Sequence, residues 1–246
     1  MKYLQAITPV IKQYGLLTAV QLVVRECKHL VWNQSLRGSF SQHYEDLILD
    51  RIFQGQKSGL YLDIGCHEPK RINNTYRLYQ RGWTGVCVDA AGDYADDYKV
   101  LRPRDIFVQV GIGRQKNSSM NFFEFSAPAL STFSKEHALL YQRQGHALVR
   151  TIRVPIITLT ELCDTYIRER TIDLLCLDIE GYDFEALESL NWQKYTPRAI
   201  CVERKPSGDV HAGTTTIDKD EIDIFLKNKG YKLYAHTSVN SIYIVF

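Results

Sequence analysis

The sequence predicts an α/β fold: a mostly parallel sheet with helices on both faces. Three observations predict it. Near-continuous apolar runs alternate with segments of helical periodicity from residue 39 onward, the pattern of strands buried on both sides. Several of these runs end in an acid or a glycine, as LYLDIG, GVCVDA and LLCLDIEG do. The last two, YKLYAHT and SIYIVF, have only a short polar turn between them, so they must pair antiparallel at one edge.

Taken in order, SQHYEDLILDRIF (41–53) reads as a helix with Ser41 as N-cap and acids in its first turns. GLYLDIG (59–65) is the first strand, and a helix follows through LYQRG, stopping at Gly82. GVCVDA (85–90) is the second strand, DYADDYKVL a short helix ending before Pro103, and DIFVQVGIG (105–113) the third strand. NFFEF (121–125) and VRTIRVPII (149–157) are additional strands around a helix near SKEHALLYQRQG. A helix over 159–169 leads to the strand TIDLLCLDIEG (171–181), then a helix at DFEALESL, the strand PRAICVERK (197–205) and a helix over 218–230. The closing pair completes a seven-stranded main sheet.

Ahead of this lies an extension, residues 1–38, with apolar side chains at helical spacing (Val20, Val23, Val24, Cys27, Leu30 and Val31). It is expected to pack on the domain 39–246, to form a dimer contact, or to lie on a membrane surface, since Lys12, Arg25 and Lys28 sit nearby. Its longest charge-free stretch, Gln13 to Val24, is too short to span a bilayer. The whole chain has 246 residues, 24% charged, with a net charge of +2 and no basic run, which argues against a nucleic-acid partner. Cys27, Cys66, Cys87, Cys163, Cys176 and Cys201 form no C-x-x-C pair. They read as free thiols in a reducing, cytoplasmic setting, without zinc.

Ligands of such sheets bind beyond the carboxyl ends of the strands, where strand order reverses. Asp89, at the end of the second strand, is placed to accept from two ribose hydroxyls. That suits either NAD or S-adenosylmethionine, and the first loop separates them. A pyrophosphate needs several glycines and open backbone N–H groups, yet only Gly65 follows Asp63 before Cys66-His67-Glu68-Pro69. An acid and one glycine suit a sulfonium cation instead. Gly111 and Gly113, at the third strand, leave room for adenine. The expected cofactor-binding residues are Asp63, Gly65, Cys66, Asp89, Ala90, Gly111 and Asp178.

At these residues the sequence resembles the FkbM family of S-adenosylmethionine-dependent methyltransferases. The resemblance runs from about Ser41 to the C-terminus. It rests on SQHYEDLILD, YLDIGCHEPKRINNTYRLYQRGWTGVCVDA, LSTFS, VPIITLTEL and LLCLDIEGYDFEAL. It implies a Rossmann-like class I methyltransferase fold and methylation of a hydroxyl oxygen, often on a sugar of a glycan, polysaccharide or natural product. The competing readings are an NAD-dependent oxidoreductase or epimerase, which lacks its glycines here, and a non-catalytic binding module on the same fold.

A sugar hydroxyl is a weak acid and needs a base or a metal. Asp178, Glu180 and Glu203 end two strands that are expected to be neighbours. Three converging carboxylates suit Mg²⁺ or another divalent cation. Without a metal, the candidate bases are His67 and Glu180; with Asp178 they make up the expected catalytic residues. Lys70, Arg71, Asn73 and Asn74 are placed to shape an acceptor entrance or to cap a helix. Tyr182 and Trp83 could stack on a sugar or sit in the core, and Arg204, Lys205 and His211 could meet an anionic acceptor.

Overall fold

The computed structural model describes residues 16, 17, 20, 38–114, 118–203 and 219–245. Among the described residues, ten strands form two sheets. The main sheet holds β1 (Leu60–Ile64), β2 (Thr84–Asp89), β3 (Ile106–Gln109), β7 (Leu174–Leu177), β8 (Ala199–Glu203), β9 (Lys232–His236) and β10 (Asn240–Ile244). Their order across it is β3-β2-β1-β7-β8-β10-β9. All pairs are parallel except those of β10, which runs antiparallel to β8 and β9. The seven-stranded sheet and its antiparallel edge hairpin match the sequence expectation.

Alternation along β1 sorts the core into two layers. Leu60, Leu62 and Ile64 face one side, with Leu159 and Leu162 of α5 (Leu159–Leu162), Ala186 and Leu187 of α6 (Asp183–Glu188), and Leu226 of α7 (Lys219–Asn228). Tyr61 faces the other, with Leu49 of α1 (Glu45–Ile52), Leu78 and Tyr79 of α2 (Tyr76–Arg81), and Tyr98 of α3 (Ala95–Leu101). Each fully buried Leu contributes about 2 kcal/mol of transfer free energy. Trp83 is one of these core residues, fully buried with its indole N–H donating to the Gln56 carbonyl, so it has no part in stacking on a ligand.

Three elements differ from the sequence reading. The expected single strand 105–113 is two: β3 stays in the main sheet, while β4 (Gly111–Ile112) joins a second sheet of order β4-β6-β5. That sheet is built from the extra strands, β5 (Ser118–Phe125) and β6 (Leu148–Ile157), with α4 (Lys135–Arg143) between them. The helix expected from Ser41 begins only at Glu45, after Tyr44 in left-handed conformation with φ 68°. The N-cap position is Tyr44, not Ser41; the Ser41 hydroxyl still accepts from the first-turn Asp46 N–H at 3.2 Å while it donates, with that of Ser39, to the buried Asp46 carboxylate. The helix expected over 159–169 is α only to Leu162 and continues as a π turn, Cys163–Ile167.

The described cysteines, Cys66, Cys87, Cys163, Cys176 and Cys201, are free and buried; Cys27 lies outside the described residues. No helix among the described residues is long and apolar enough to cross a membrane. Of the extension, Leu16, Leu17 and Val20 are helical and exposed.

Candidate active site

Strand order reverses at β1, whose neighbours β2 and β7 lead away to opposite sides. A cavity of about 260 Å³ opens there, walled by the ends of these three strands and roofed by the second sheet. Of the residues expected from sequence, Gly65, His67, Asp89, Ala90, Gly111, Asp178 and Glu180 line it. Asp63, Cys66 and Glu203 are not in its wall.

The loop after β1 is bound to β2 rather than open to a ligand. The N–H groups of Gly65 and Cys66 both donate to the Val88 carbonyl, at 2.8 and 3.1 Å. That of His67, in left-handed conformation with φ 49°, donates to Asp89 Oδ2 at 2.9 Å. Asp89 Oδ1 accepts from the Ala91 N–H at 2.8 Å. Burial pushes the Asp89 carboxyl up to about 6, against the pull of these two bonds. The His67 ring shares a hydrogen bond with the Tyr94 hydroxyl, Nε2 to Oη 2.9 Å.

Asp63 points away from the cavity, into a buried polar cluster. Its Oδ2 accepts from the Thr75 hydroxyl at 2.6 Å. Arg102, fully buried, donates to Asp105, Asn73, Thr75, the Tyr61 hydroxyl and the Pro69 carbonyl. Asn73 Oδ1 also accepts from the N–H groups of Thr75 and Tyr76, which caps the start of α2. Burial raises the Asp63 carboxyl and Arg102 opposes that rise. Direct contact between Asp63 and a cofactor, expected from sequence, is thus not what the geometry offers; Asp63 anchors the segment 66–75 from below. Cys66 is turned the same way, its thiol pushed well up by burial and by Cys87, while its carbonyl accepts from Asn73 and Tyr98.

Beyond Asp89, Ala90 and Ala91 cluster with Phe122 and Phe133 of the roof, and the four give the cavity an apolar wall. Gly111 is needed there, because a Cβ would meet Ile156 and Phe133.

Elsewhere in the wall stand Asp178 and Glu180, and Glu203, outside the wall, completes a group whose carboxylate oxygens lie within 4.8 Å of one another. The turn that carries Asp178 and Glu180 is pinned by Asp183, which accepts from the N–H groups of Ile179 and Gly181, while Glu203 ends β8. Burial, then Glu180 and Asp183, push the Asp178 carboxyl well above the usual carboxylate range. Tyr182 lines the cavity and packs edge-on to Phe133, centroids 6.2 Å apart. Arg204, Lys205 and His211 lie outside the described residues. Lys70 sits over the Tyr76 ring and Arg71 pairs with Glu68, and neither lines the cavity.

The Methyltransferase FkbM domain matches residues 63–233 of this chain. The chain belongs to the FkbM methyltransferase family. Its cofactor is S-adenosylmethionine, and the fold is that of a class I methyltransferase. A TehB-like SAM-dependent methyltransferase from Corynebacterium glutamicum is similar in structure at 13% identity, over 90% of this chain and 97% of that one, with a TM-score of 0.44. No curated protein matches the chain.

The residues present fit that cofactor. With its first N–H groups committed to Val88 and Asp89, the loop of this FkbM methyltransferase offers no cradle for the pyrophosphate of NAD. Asp89 keeps acceptor capacity at the cavity edge for ribose hydroxyls. The apolar wall of Ala90, Ala91 and Phe122 suits an adenine. The carboxylates of Asp178 and Glu180 suit the cationic end. Sequence reasoning missed Gln42 and Ile72, which also line the cavity. They precede or interrupt the motifs and carry no strand-end signal; only their neighbours in SQHYEDL and RINNTY marked the place.

Proposed function

We propose that this methyltransferase methylates a hydroxyl oxygen of a carbohydrate, on a glycan, polysaccharide or glycosylated natural product. The observation that carries the reading is the cluster of Asp178, Glu180 and Glu203 at one end of the cavity. A phenol, thiol or amine acceptor needs little help with its proton, whereas a sugar hydroxyl needs a strong acceptor for it. S-adenosylmethionine supplies a methyl group activated on a sulfonium. The chain's own work is to hold the acceptor oxygen in line with that methyl and to take its proton as the new C–O bond forms. Asp178 is the proposed proton acceptor, because its carboxylate lines the cavity at the end of β7, next to that of Glu180. Glu180 stands beside it on the same turn. Tyr182 and Phe133 give the acceptor an apolar face to lie against.

The same three carboxylates would hold Mg²⁺ or another divalent cation, whose chemistry there would be to lower the pKa of a bound hydroxyl. His67 belongs in this reading to the cofactor side, since Asp89 holds its backbone and Tyr94 its ring. The extension 1–38 is proposed as a dimer or membrane-surface contact, which the exposure of Leu16, Leu17 and Val20 supports.

The test is transfer of radiolabelled methyl from S-adenosylmethionine to a panel of glycans and small hydroxylated acceptors. Label appearing on a sugar oxygen supports the reading; label only on nitrogen or sulfur, or only on non-sugar acceptors, would overturn it.

A further inference from the structure

We propose that Gln42 binds the carboxylate of the cofactor's amino-acid end. The inference rests on the assignment of S-adenosylmethionine to this cavity. That end of the molecule carries an ammonium and a carboxylate. The ammonium has acids to meet, Asp178 and Glu180. The carboxylate has a harder problem, because the charged side chains in the cavity wall are Asp89, Asp178 and Glu180, with no Lys or Arg among the described residues that line it.

The usual backbone solution is closed. The N–H groups of Gly65 and Cys66 are given to Val88, and that of His67 to Asp89. On the opposite turn, those of Ile179 and Gly181 are given to Asp183. The hydroxyls of Ser131 and Thr132 lie on the roof with Phe133, beside the apolar wall, and accept from the N–H groups of Phe125 and Ser134. Gln42 lines the cavity too, the one side-chain amide among the described residues that do, and no hydrogen bond among the described residues takes up its two N–H donors.

Its backbone is unusually well fixed for a segment outside helix and strand. On one side, the Phe40 N–H donates to Asp46 Oδ2 at 2.8 Å and the Ser41 hydroxyl to Asp46 Oδ1 at 2.9 Å. On the other, the His43 N–H donates to Glu45 Oε2 at 2.8 Å, while Glu45 Oε1 accepts from Thr237 and Asn240 in the edge hairpin. The Phe40 carbonyl accepts from the Asn73 N–H, tying the segment to the loop beside Ile72. Glu45 and Asp46 are fully buried. Two acids in the first turn of α1 thus build a platform from which Gln42 faces the cavity. Such pre-organisation lowers the entropic cost of binding. A neutral amide is also the right donor beside Asp178 and Glu180, since a Lys or Arg there would pair with those carboxylates instead of the ligand's.

Calorimetry on the full chain tests this with two ligands: S-adenosylhomocysteine, and 5′-methylthioadenosine, which keeps the nucleoside thioether and lacks the amino acid. Gln42→Ala should weaken S-adenosylhomocysteine by about tenfold to a hundredfold, as for a lost hydrogen bond to a charged group. Gln42→Glu should weaken it further, and both should leave 5′-methylthioadenosine unchanged. Unchanged binding of S-adenosylhomocysteine by both variants would overturn the assignment. So would an equal loss for both ligands, which is the mark of a disturbed fold. Failure of the unsubstituted chain to bind S-adenosylhomocysteine would instead remove the cofactor assignment, and this inference with it.

Discussion

The α-carbon of Gly65 faces the main-chain carbonyl of Asp178, so close that a Cβ on Gly65 would overlap the carbonyl oxygen and carbon. The cofactor loop and the acidic turn therefore lock together through a position that tolerates no side chain. Gly65 also has φ +78°, which costs an L-residue about 1–2 kcal/mol. Gly65→Ala must push the two strand ends apart. It should lower thermal stability and weaken S-adenosylhomocysteine binding by at least about tenfold, for about 1.4 kcal/mol of lost complementarity. Unaltered calorimetry would show that the two ends move independently.

Asp89 gives a pH prediction. Its carboxyl is pushed up to about 6 by burial, and the charged form is the better acceptor for two hydroxyls. S-adenosylhomocysteine affinity should be level above pH 7 and fall about tenfold between pH 7 and pH 5, as protonation removes the acceptor. Asp89→Asn should bind weakly with a flat profile. The stability of the unliganded fold moves the other way. A folded pKa above the unfolded one means the folded state holds the proton longer, so stability declines as pH rises toward 6. Affinity and melting temperature measured across pH 5–8 should thus slope in opposite directions.

Arg102 gives a stability prediction without a catalytic one. It is fully buried and its guanidinium bridges Asp105, Asn73 and Thr75, beside Asp63. Arg102→Met leaves those acids uncompensated inside the fold. The expected loss is about 3–5 kcal/mol, or a melting temperature lower by about 10 °C. A drop of only a degree or two would mean that the carboxylates take up protons at little cost.

The difference between Asp63 and Asp89 shows what the sequence could convey. Both are acids at strand ends, and strand alternation alone places each on one face of the sheet. Which face opens onto the cavity depends on what else packs there. For Asp63 that is Arg102, a residue in LRPRD with no periodic or motif signal. The convergence of Asp178, Glu180 and Glu203 was legible because it needs only that β7 and β8 be neighbours, which parallel α/β topology supplies. The second sheet was not legible as a roof. NFFEF and VRTIRVPII read as strands, but their docking over Ala90 depends on β4 leaving the main sheet after Val110, within a run, DIFVQVGIG, that reads as one continuous strand. Gln42 was hidden for a third reason. Its role comes from Glu45 and Asp46, which read as ordinary helix N-terminal acids and are in fact buried anchors.

The carboxylate cluster yields the last prediction. Three carboxylates within 4.8 Å repel one another, and a divalent cation between them would relieve that repulsion while binding an acceptor hydroxyl. Dialysis against excess EDTA should abolish methyl transfer, and Mg²⁺ should restore it. S-adenosylhomocysteine binding should survive chelation, because loss of the cation leaves Asp178 and Glu180 to the ammonium and does not touch Asp89. Glu203→Gln, which keeps the shape and removes one charge, should raise the Mg²⁺ concentration needed for half-maximal activity by about tenfold, with cofactor affinity unchanged. Full activity in EDTA would remove the cation. Asp178→Asn then becomes the decisive variant, since a metal-free site leaves Asp178 to take the proton alone. In that case kcat should fall by about a hundredfold or more, and the acidic limb of the unsubstituted enzyme's pH profile should be lost with it.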